Sequence, residues 1–262
     1  MEISLQNRIA LVCGASQGIG YAIASQFAYS GAKVILLARN ETKLNEITKT
    51  LCIKTNVKHL YVACDISNLQ ILEIKVKDIL SQIEAIHILV NNTGGPEPGL
   101  LHNSTTEQLE KAFRQHILSA QKLIELLVPG MKENKFGRII NIVSVGMREP
   151  IENLGVSNTV RGAMGSWAKT LSRELAPFGI TVNNILPGYT LTERLKSLIN
   201  NRASAKGVSF EEESLSILQK IPTKRFAKPE EIAYLATFLA SEYASYINGT
   251  SIPIDGGYLS SI

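Results

Sequence analysis

The sequence predicts an α/β fold, a single doubly wound domain with a seven-stranded parallel sheet over residues 1–262. Three observations predict it. Short β-branched runs alternate with longer helical patterns along most of the chain, the rhythm of strand–helix–strand units. Several strand runs are nearly unbroken apolar, as strands covered on both faces should be. No Pro/Gly/Ser-rich linker, internal repeat or low-complexity tract divides the 262 residues, although at about 150 residues per domain that length would admit one domain or two.

In order, the strands are expected at 8–13, 33–38, 59–63, 86–91, 138–143, 181–186 and 251–254. Between the fourth and fifth, Phe113, Ile117, Ala120, Ile124 and Leu127 recur at spacings of 4, 3, 4 and 3 and make one apolar helical stripe. Ser67-x-x-Gln70, Ser104-x-x-Glu107 and Ser209-x-x-Glu212 read as capping boxes, and Pro229 suits a first helical turn. Segment 191–220 breaks the rhythm, being polar, helical by propensity and interrupted by Asn200-Asn201 and Gly207. An insertion of that length is read as a substrate lid, with an oligomer contact as the plainer alternative.

Composition excludes several classes of function. Hydrophobic residues make up 45% and charged residues 19%, enough apolar material for a packed core and too little charge for disorder. The formal charge of +4 is small, and no stripe of Lys and Arg marks a nucleic-acid surface. Cys13, Cys52 and Cys64 are an odd number without a Cys-x-x-Cys pair, which argues against disulfides and structural zinc and suits a reducing cytosol. The start, Met1-Glu2-Ile3-Ser4-Leu5, has neither the basic nor the apolar region of a signal peptide, and no apolar stretch is of membrane-spanning length. The expectation is a cytoplasmic protein that takes a small molecule, with no metal, nucleic acid or membrane.

The first strand runs into Gly14-Ala15-Ser16-Gln17-Gly18-Ile19-Gly20 and then an amphipathic helix. Glycines between a strand and a helix let the backbone approach a pyrophosphate, whose charge sits on the helix N-terminus. At the tip of the second strand, where an acid would take a ribose 2′-OH, the chain reads Arg39-Asn40, with Glu41 two residues beyond Arg39. That favours NADP(H) over NAD(H); the alternative for Arg39 is a solvated loop charge.

Further motifs follow in order: Cys64-Asp65-Ile66, Asn91-Asn92-Thr93-Gly94, Asn141-Ile142-Val143-Ser144, Pro187-Gly188-x-x-x-Thr192, Pro229-Glu230-Glu231-Ile232 and Asp255-Gly256-Gly257. Together with the glycine turn they resemble the short-chain dehydrogenase/reductase family over essentially the whole chain, with Cys13 where a Thr is usual. Residues 91–99 and 157–161 are similar to an atypical, β-ketoacyl-carrier-protein-reductase-like branch. The resemblance implies a Rossmann-type domain. Gly14, Ser16, Gln17, Gly18, Ile19 and Gly20 would cradle the cofactor, and Asp65 and Ile66 would hold its adenine. Asn91 and Gly94 would line it, as would Pro187 and Gly188, with Thr192 on the nicotinamide carboxamide. A turn-stabilising role is the alternative for Asn91.

The family moves a hydride between nicotinamide and a carbonyl or alcohol carbon. A Tyr donates the proton, a Lys four residues on lowers its pKa and holds the ribose, a Ser orients the carbonyl and an upstream Asn completes a relay. Ser144 stands at the Ser position, but the Tyr position reads Ser157, the Lys position Arg161 and the Asn position His116. The register is secured downstream by Gly162-Ala163-Met164, Leu171-Ser172-Arg173-Glu174-Leu175 and Val182-Asn183. Ser157 and Arg161, one turn apart, share a helix face. Arg161 keeps a charge for ribose hydroxyls but, with a pKa above about 12, shuttles no protons. Ser157 is a far weaker acid than a phenol at about 10, and losing a positioned general acid costs about 10²–10⁴-fold. Two replacement donors offer themselves. His116 has a reference pKa of about 6.5, and Tyr189 stands where the family's chain passes the nicotinamide. Their alternatives are a helix residue bonded to backbone and lid packing.

The leading expectation is an NADP(H)-preferring, 3-oxoacyl-carrier-protein-reductase-like oxidoreductase with altered acid/base residues. Its rival is a catalytically silent dinucleotide-binding sensor or assembly subunit. The small residues Gly162, Ala163, Gly165, Ser166 and Ala168, and the end Ile252-Pro253-Ile254 with Tyr258-Leu259, match the family's two oligomer faces and imply a homotetramer.

Overall fold

Seven parallel strands form one sheet in the order β3-β2-β1-β4-β5-β6-β7. They are β1 Ile9–Cys13, β2 Lys33–Ala38, β3 Leu60–Ala63, β4 Ile88–Asn91, β5 Gly137–Ile142, β6 Ile180–Pro187 and β7 Ser251–Ile254. Every expected run is a strand, with its ends moved by at most two residues. This computed structural model describes residues 3–261; Met1, Glu2 and Ile262, at the ends of the span read as one domain, lie outside the described residues.

The strands pair in register, Ala10 with Val34 on one side of β1 and with Ile88 on the other. The chain winds outward from β1 to β3 and then crosses back to β4. The connections leaving β1 and β4 therefore part in opposite directions and open a crevice at the C-terminal ends of the strands.

The described residues hold nine α-helices: α1 Gly18–Tyr29, α2 Glu41–Thr55, α3 Leu69–Leu80, α4 Thr106–Phe113, α5 Ser119–Glu133, α6 Gly155–Leu175, α7 Glu193–Lys206, α8 Phe210–Gln219 and α9 Pro229–Ala240. Successive strand residues feed opposite faces, as the pleat requires. Val34 and Leu36 pack with Phe27, Ile232 and Leu239 of α1 and α9. Ile35 and Leu37 pack with Leu72, Leu123 and Ala168 of α3, α5 and α6. Burial on both faces is why these strands read as continuous apolar runs.

Two of the expected helix starts move by one residue. Asn68, not Ser67, caps α3 by accepting from the Ile71 N–H at 3.2 Å, while the Ser67 hydroxyl donates to Asp65 at 2.7 Å. Thr105 and Gln108, not Ser104 and Glu107, make the capping box of α4. Ser104 instead donates to the Leu100 carbonyl. The Ser209/Glu212 box and Pro229 in the first turn of α9 stand as expected.

The expected apolar stripe is interrupted. Residues 114–118 form a π-helical turn between α4 and α5, and one extra residue per turn rotates whatever precedes it. Ile117, Ala120, Ile124 and Leu127 are buried, but Phe113 is thrown outward to 41% exposure. The same turn drives His116 inward, to 3% exposure. Such insertions commonly mark functional sites.

Segment 191–220 folds as α7 and α8, joined at Gly207 (φ +66°) and tied by a 2.7 Å ion pair from Lys206 to the buried Glu213. Leu195, Ile199, Ile217 and Ile221 form a small core of their own, against which Tyr189, Phe226 and Tyr258 pack. No helix among the described residues is long and apolar enough to cross a membrane.

Candidate functional site

The crevice begins at the glycine turn after β1. Gly14 has φ +63°, and a Cβ there would lie 2.6 Å from Asn92 Nδ2, so only glycine fits. Gly18 has φ +56°, and its missing Cβ faces Thr192 Cγ2 at 3.2 Å. The N-terminus of α1 that follows has no side-chain cap and no acid in its first turn, whereas α2, α3, α4, α7 and α8 are each capped by a side chain. Unpaired N–H groups and the positive end of a helix at a turn stripped of side chains suit a pyrophosphate.

From there a cavity of about 210 Å³ runs across the ends of β4, β5 and β6. It brings together Ile19 from the first turn of α1, Ser144, Ser157 and Arg161, Pro187 at the end of β6, and Gly188 and Thr192 beyond it. Asn92, Thr93, Gly95, Tyr189 and Arg194 also line it. Arg39, Asp65 and Ile66 stand apart, after β2 and β3, where the far half of a dinucleotide would reach. There the Ser67 hydroxyl, with Arg39 among the smaller contributors, holds the Asp65 carboxyl below its usual value.

Ser144 sits in extended backbone at the head of a short helical turn, and its Oγ accepts from the Gly146 N–H at 3.0 Å. With that lone pair engaged, the hydroxyl proton is free to point at a carbonyl oxygen in the cavity. Ser157 and Arg161 come from the first two turns of α6. Between them Asn158 clamps Ile151 by both backbone groups, at 3.2 and 2.9 Å, which holds Ile151 and Leu154 as an apolar wall of the cavity.

The Arg161 Nη1 donates to the Ile142 carbonyl at 3.0 Å, while its Nε is shielded from solvent without a partner. Burial and the neighbouring Arg194 charge pull its pKa down to about 10, which leaves it cationic at neutral pH. Arg194 donates from Nη1 to the Gly95 carbonyl at 3.1 Å and from Nη2 to the Pro96 carbonyl at 3.2 Å.

His116 corrects an expectation. The sequence offers it as a proton donor titrating near neutrality, but burial, with Arg161 and Arg194 nearby, forces its pKa down to about 2. The imidazole is neutral and is no general acid at physiological pH. It holds Thr93 instead, with Nδ1 at 2.6 Å from Thr93 Oγ1.

Asn91 corrects another. Its side chain turns into the sheet, not toward the cofactor crevice. Asn91 Nδ2 donates to Asn141 Oδ1 at 2.8 Å, Asn141 Nδ2 to Asn184 Oδ1 at 2.9 Å, and Asn184 Nδ2 to Ser251 Oγ at 3.0 Å. These are the register partners of β4, β5, β6 and β7, so a buried amide ladder crosses four strands. Asn92 and Thr93 face the cavity in its place. Gly94 is exposed beside them, its carbonyl accepting from Gln115 at 2.9 Å.

Tyr189 lines the cavity but packs edge-on against Tyr258 at 5.4 Å. Burial and Tyr189 push the Tyr258 phenol up to about 12. Cys13, buried under the glycine turn, has a thiol pushed up to about 12 by burial, so it is a space-filling group. No cluster of His, Cys, Asp or Glu among the described residues could hold a metal ion.

Arg194 was not singled out from the sequence. Its carbonyl partners lie 98 and 99 residues away. The one available signal is its place two residues after Thr192, in the first turn of α7.

A family model described as Enoyl-(Acyl carrier protein) reductase matches residues 14–259. The chain is 34% identical to the NADPH-dependent reductase BacG of Bacillus subtilis over 98% of this chain and all of that protein. It is 33% identical to the 3-oxoacyl-[acyl-carrier-protein] reductase FabG of Vibrio cholerae over 97% of this chain and 98% of that one. Among solved structures, L-sorbose reductase from Gluconobacter frateurii, complexed with NADPH and L-sorbose, superposes with a TM-score of 0.95 at 32% identity over the whole of both chains.

Proposed function

The chain belongs to the short-chain dehydrogenase/reductase family, and we propose that it is an NADP(H)-preferring oxidoreductase whose acid/base site is built from Ser144, Ser157 and Arg161. The carrying observation is one continuous crevice. It starts at an uncapped helix N-terminus over a glycine turn and ends at two hydroxyls and a fixed cation in a cavity of about 210 Å³.

The residues fit the cofactor. Gly14 and Gly18 take the left-handed backbone that shapes the turn into the uncapped start of α1, where a pyrophosphate would sit, and the partnerless Nε of Arg161 suits a ribose hydroxyl. Thr192 covers the glycine turn where the carboxamide would meet it, and Arg39 supports the choice of a 2′-phosphate. Bound there, the nicotinamide supplies or accepts the hydride.

The chain's own residues handle the proton and the charge. The Ser144 and Ser157 hydroxyls donate to the substrate carbonyl oxygen, and the Arg161 cation stabilises the negative charge that grows there. The proton lost from a hydroxyl is replaced from solvent. A preorganised donor in such a site is worth about 2.7–4 kcal/mol of barrier. Segment 191–220, as α7 and α8, closes the cavity as a lid.

The test is direct. Dissociation constants for NADPH and NADH are measured by cofactor fluorescence, followed by NADPH consumption over a panel of ketones, aldehydes and sugars. Tight NADPH binding with turnover of at least one carbonyl supports the reading. Tight binding with no turnover of any carbonyl or alcohol favours the silent sensor.

A further inference from the structure

We propose that the substrate carries a carboxylate, and that Arg194, beside Arg161, is the group that holds it. This rests on the oxidoreductase reading above and adds the substrate's chemical class.

The cavity contains two guanidinium groups and not one Asp or Glu. Neither Arg161 nor Arg194 makes an ion pair among the described residues. The nearest acids do not supply one: Glu193 is taken by Lys196 at 2.8 Å, and Glu97 acts on Arg194 only through its field. Both heads are held in place by backbone carbonyls, of Ile142 for one and of Gly95 and Pro96 for the other. Neutral acceptors fix the position of a cation without cancelling its charge, and most of each guanidinium's five N–H donors stay available.

Gly95 makes the convergence visible. A Cβ there would lie 2.6 Å from Arg194 Nη2 and 3.7 Å from Arg161 Nη2, so the two heads meet at a residue that has no side chain. Two like charges side by side repel, and a ligand carboxylate between them relieves the repulsion while accepting charge-assisted hydrogen bonds. The other anion in reach, the cofactor's pyrophosphate, already has a seat on α1. The rest of the wall, Ile151, Leu154, Leu195 and Leu198, suits the short carbon skeleton of an oxo acid.

The test uses pyruvate, acetoacetate and levulinate, which step the carboxylate away from the carbonyl, each with its methyl ester. Turnover with NADPH and binding to the protein–NADP⁺ complex by calorimetry are measured for the wild type, Arg194→Gln, Gly95→Ala and the paired exposed control Lys196→Gln. For the best oxo acid, the acid should exceed its ester by ten-fold or more in kcat/KM. Arg194→Gln should raise KM for the acid ten- to a hundred-fold and bring the acid-to-ester ratio toward one, and Lys196→Gln should not. Gly95→Ala, which displaces the guanidinium but keeps its charge, should move in the same direction, and it decides the matter if Arg194→Gln fails to fold.

Esters that bind and react as well as acids overturn the proposal. So does an Arg194→Gln variant that loses NADPH affinity as strongly as acid affinity, since the anion is then the cofactor's. Acids that bind in an Arg194-dependent way without being reduced uphold the anion site and overturn the reductase reading instead.

Discussion

Thr93 Oγ1 lies 2.6 Å from His116 Nδ1, and this contact joins the loop after β4 to the π-helical turn between α4 and α5. Thr93 is at the cavity wall. The imidazole thus anchors that wall as a neutral strut.

His116 should make folding stability fall with acid. Its pKa is about 2 in the folded protein and about 6.5 in the unfolded chain. Below pH 6.5 the unfolded chain therefore binds the extra proton. The stability this group leaves intact above pH 6.5 is lost as pH falls toward 2, at up to about 1.4 kcal/mol per pH unit. Urea unfolding at pH 7 and pH 5 should show His116→Asn losing about 2 kcal/mol less than the wild type over that interval. Equal losses would mean that the imidazole is not held neutral.

Arg39 is exposed at the tip of β2, immediately before Asn40, which caps α2 by accepting from the Lys43 N–H at 3.0 Å. A phosphate contact from Arg39 would be a charged hydrogen bond worth about 1.5–3 kcal/mol. Arg39→Asp should lower the NADPH-to-NADH affinity ratio by roughly ten- to a hundred-fold. An unchanged ratio of the two dissociation constants makes Arg39 a solvated charge.

The amide ladder should carry measurable stability. Asn141 bonds to Asn91 on one side and Asn184 on the other, and all three are at most 5% exposed. Asn141→Ala strands a buried donor on Asn91 and a buried acceptor on Asn184, at about 1–3 kcal/mol each. At about 2–4 °C per kcal/mol, the melting temperature should fall by roughly 4–24 °C. A fall of under about 2 °C would show that the ladder relaxes or hydrates.

The sheet and glycine turn were legible because they rest on local physics. Runs such as Val34-Ile35-Leu36-Leu37 have no other stable use than a strand covered on both faces, and the strand–glycine–helix sequence imposes its own geometry. What the sequence hid depends on choices between equal neighbours or on distant contacts. Ser104/Glu107 and Thr105/Gln108 are overlapping boxes of the same kind, and only the observed turn selects the second. The spacings from Phe113 to Leu127 suit a regular helix, and nothing local announces the extra residue that swings His116 inward. Asn91 reads as a cofactor contact by its motif alone, because its partner Asn141 lies fifty residues on. Arg194 needed the fold to bring Gly95 to it.

Association through α6 should use only part of the small-residue run, because Ala168 is buried in the core and Gly165 faces Met147. Gly162 has open space where a Cβ would be, and Phe113 is 41% exposed on the adjoining surface. Tyr246 beyond α9 is fully exposed. Light scattering should give four times 28.6 kDa at micromolar concentration. A mass near that of one chain rules the homotetramer out.

The acid/base site is tested most directly by one cycle of kcat/KM for NADPH-dependent carbonyl reduction: wild type, Ser157→Tyr, Arg161→Lys and the double variant. Ser157 and Arg161 line one cavity from one face of α6. A new phenol needs a compact ammonium one turn away to lower its pKa, which a guanidinium fork places differently. The wild type should show measurable reduction, and the double variant should be faster than either single one with a coupling of about 0.5–3 kcal/mol. NADPH bound at all four corners, with no carbonyl reduced at any of them, would contradict it.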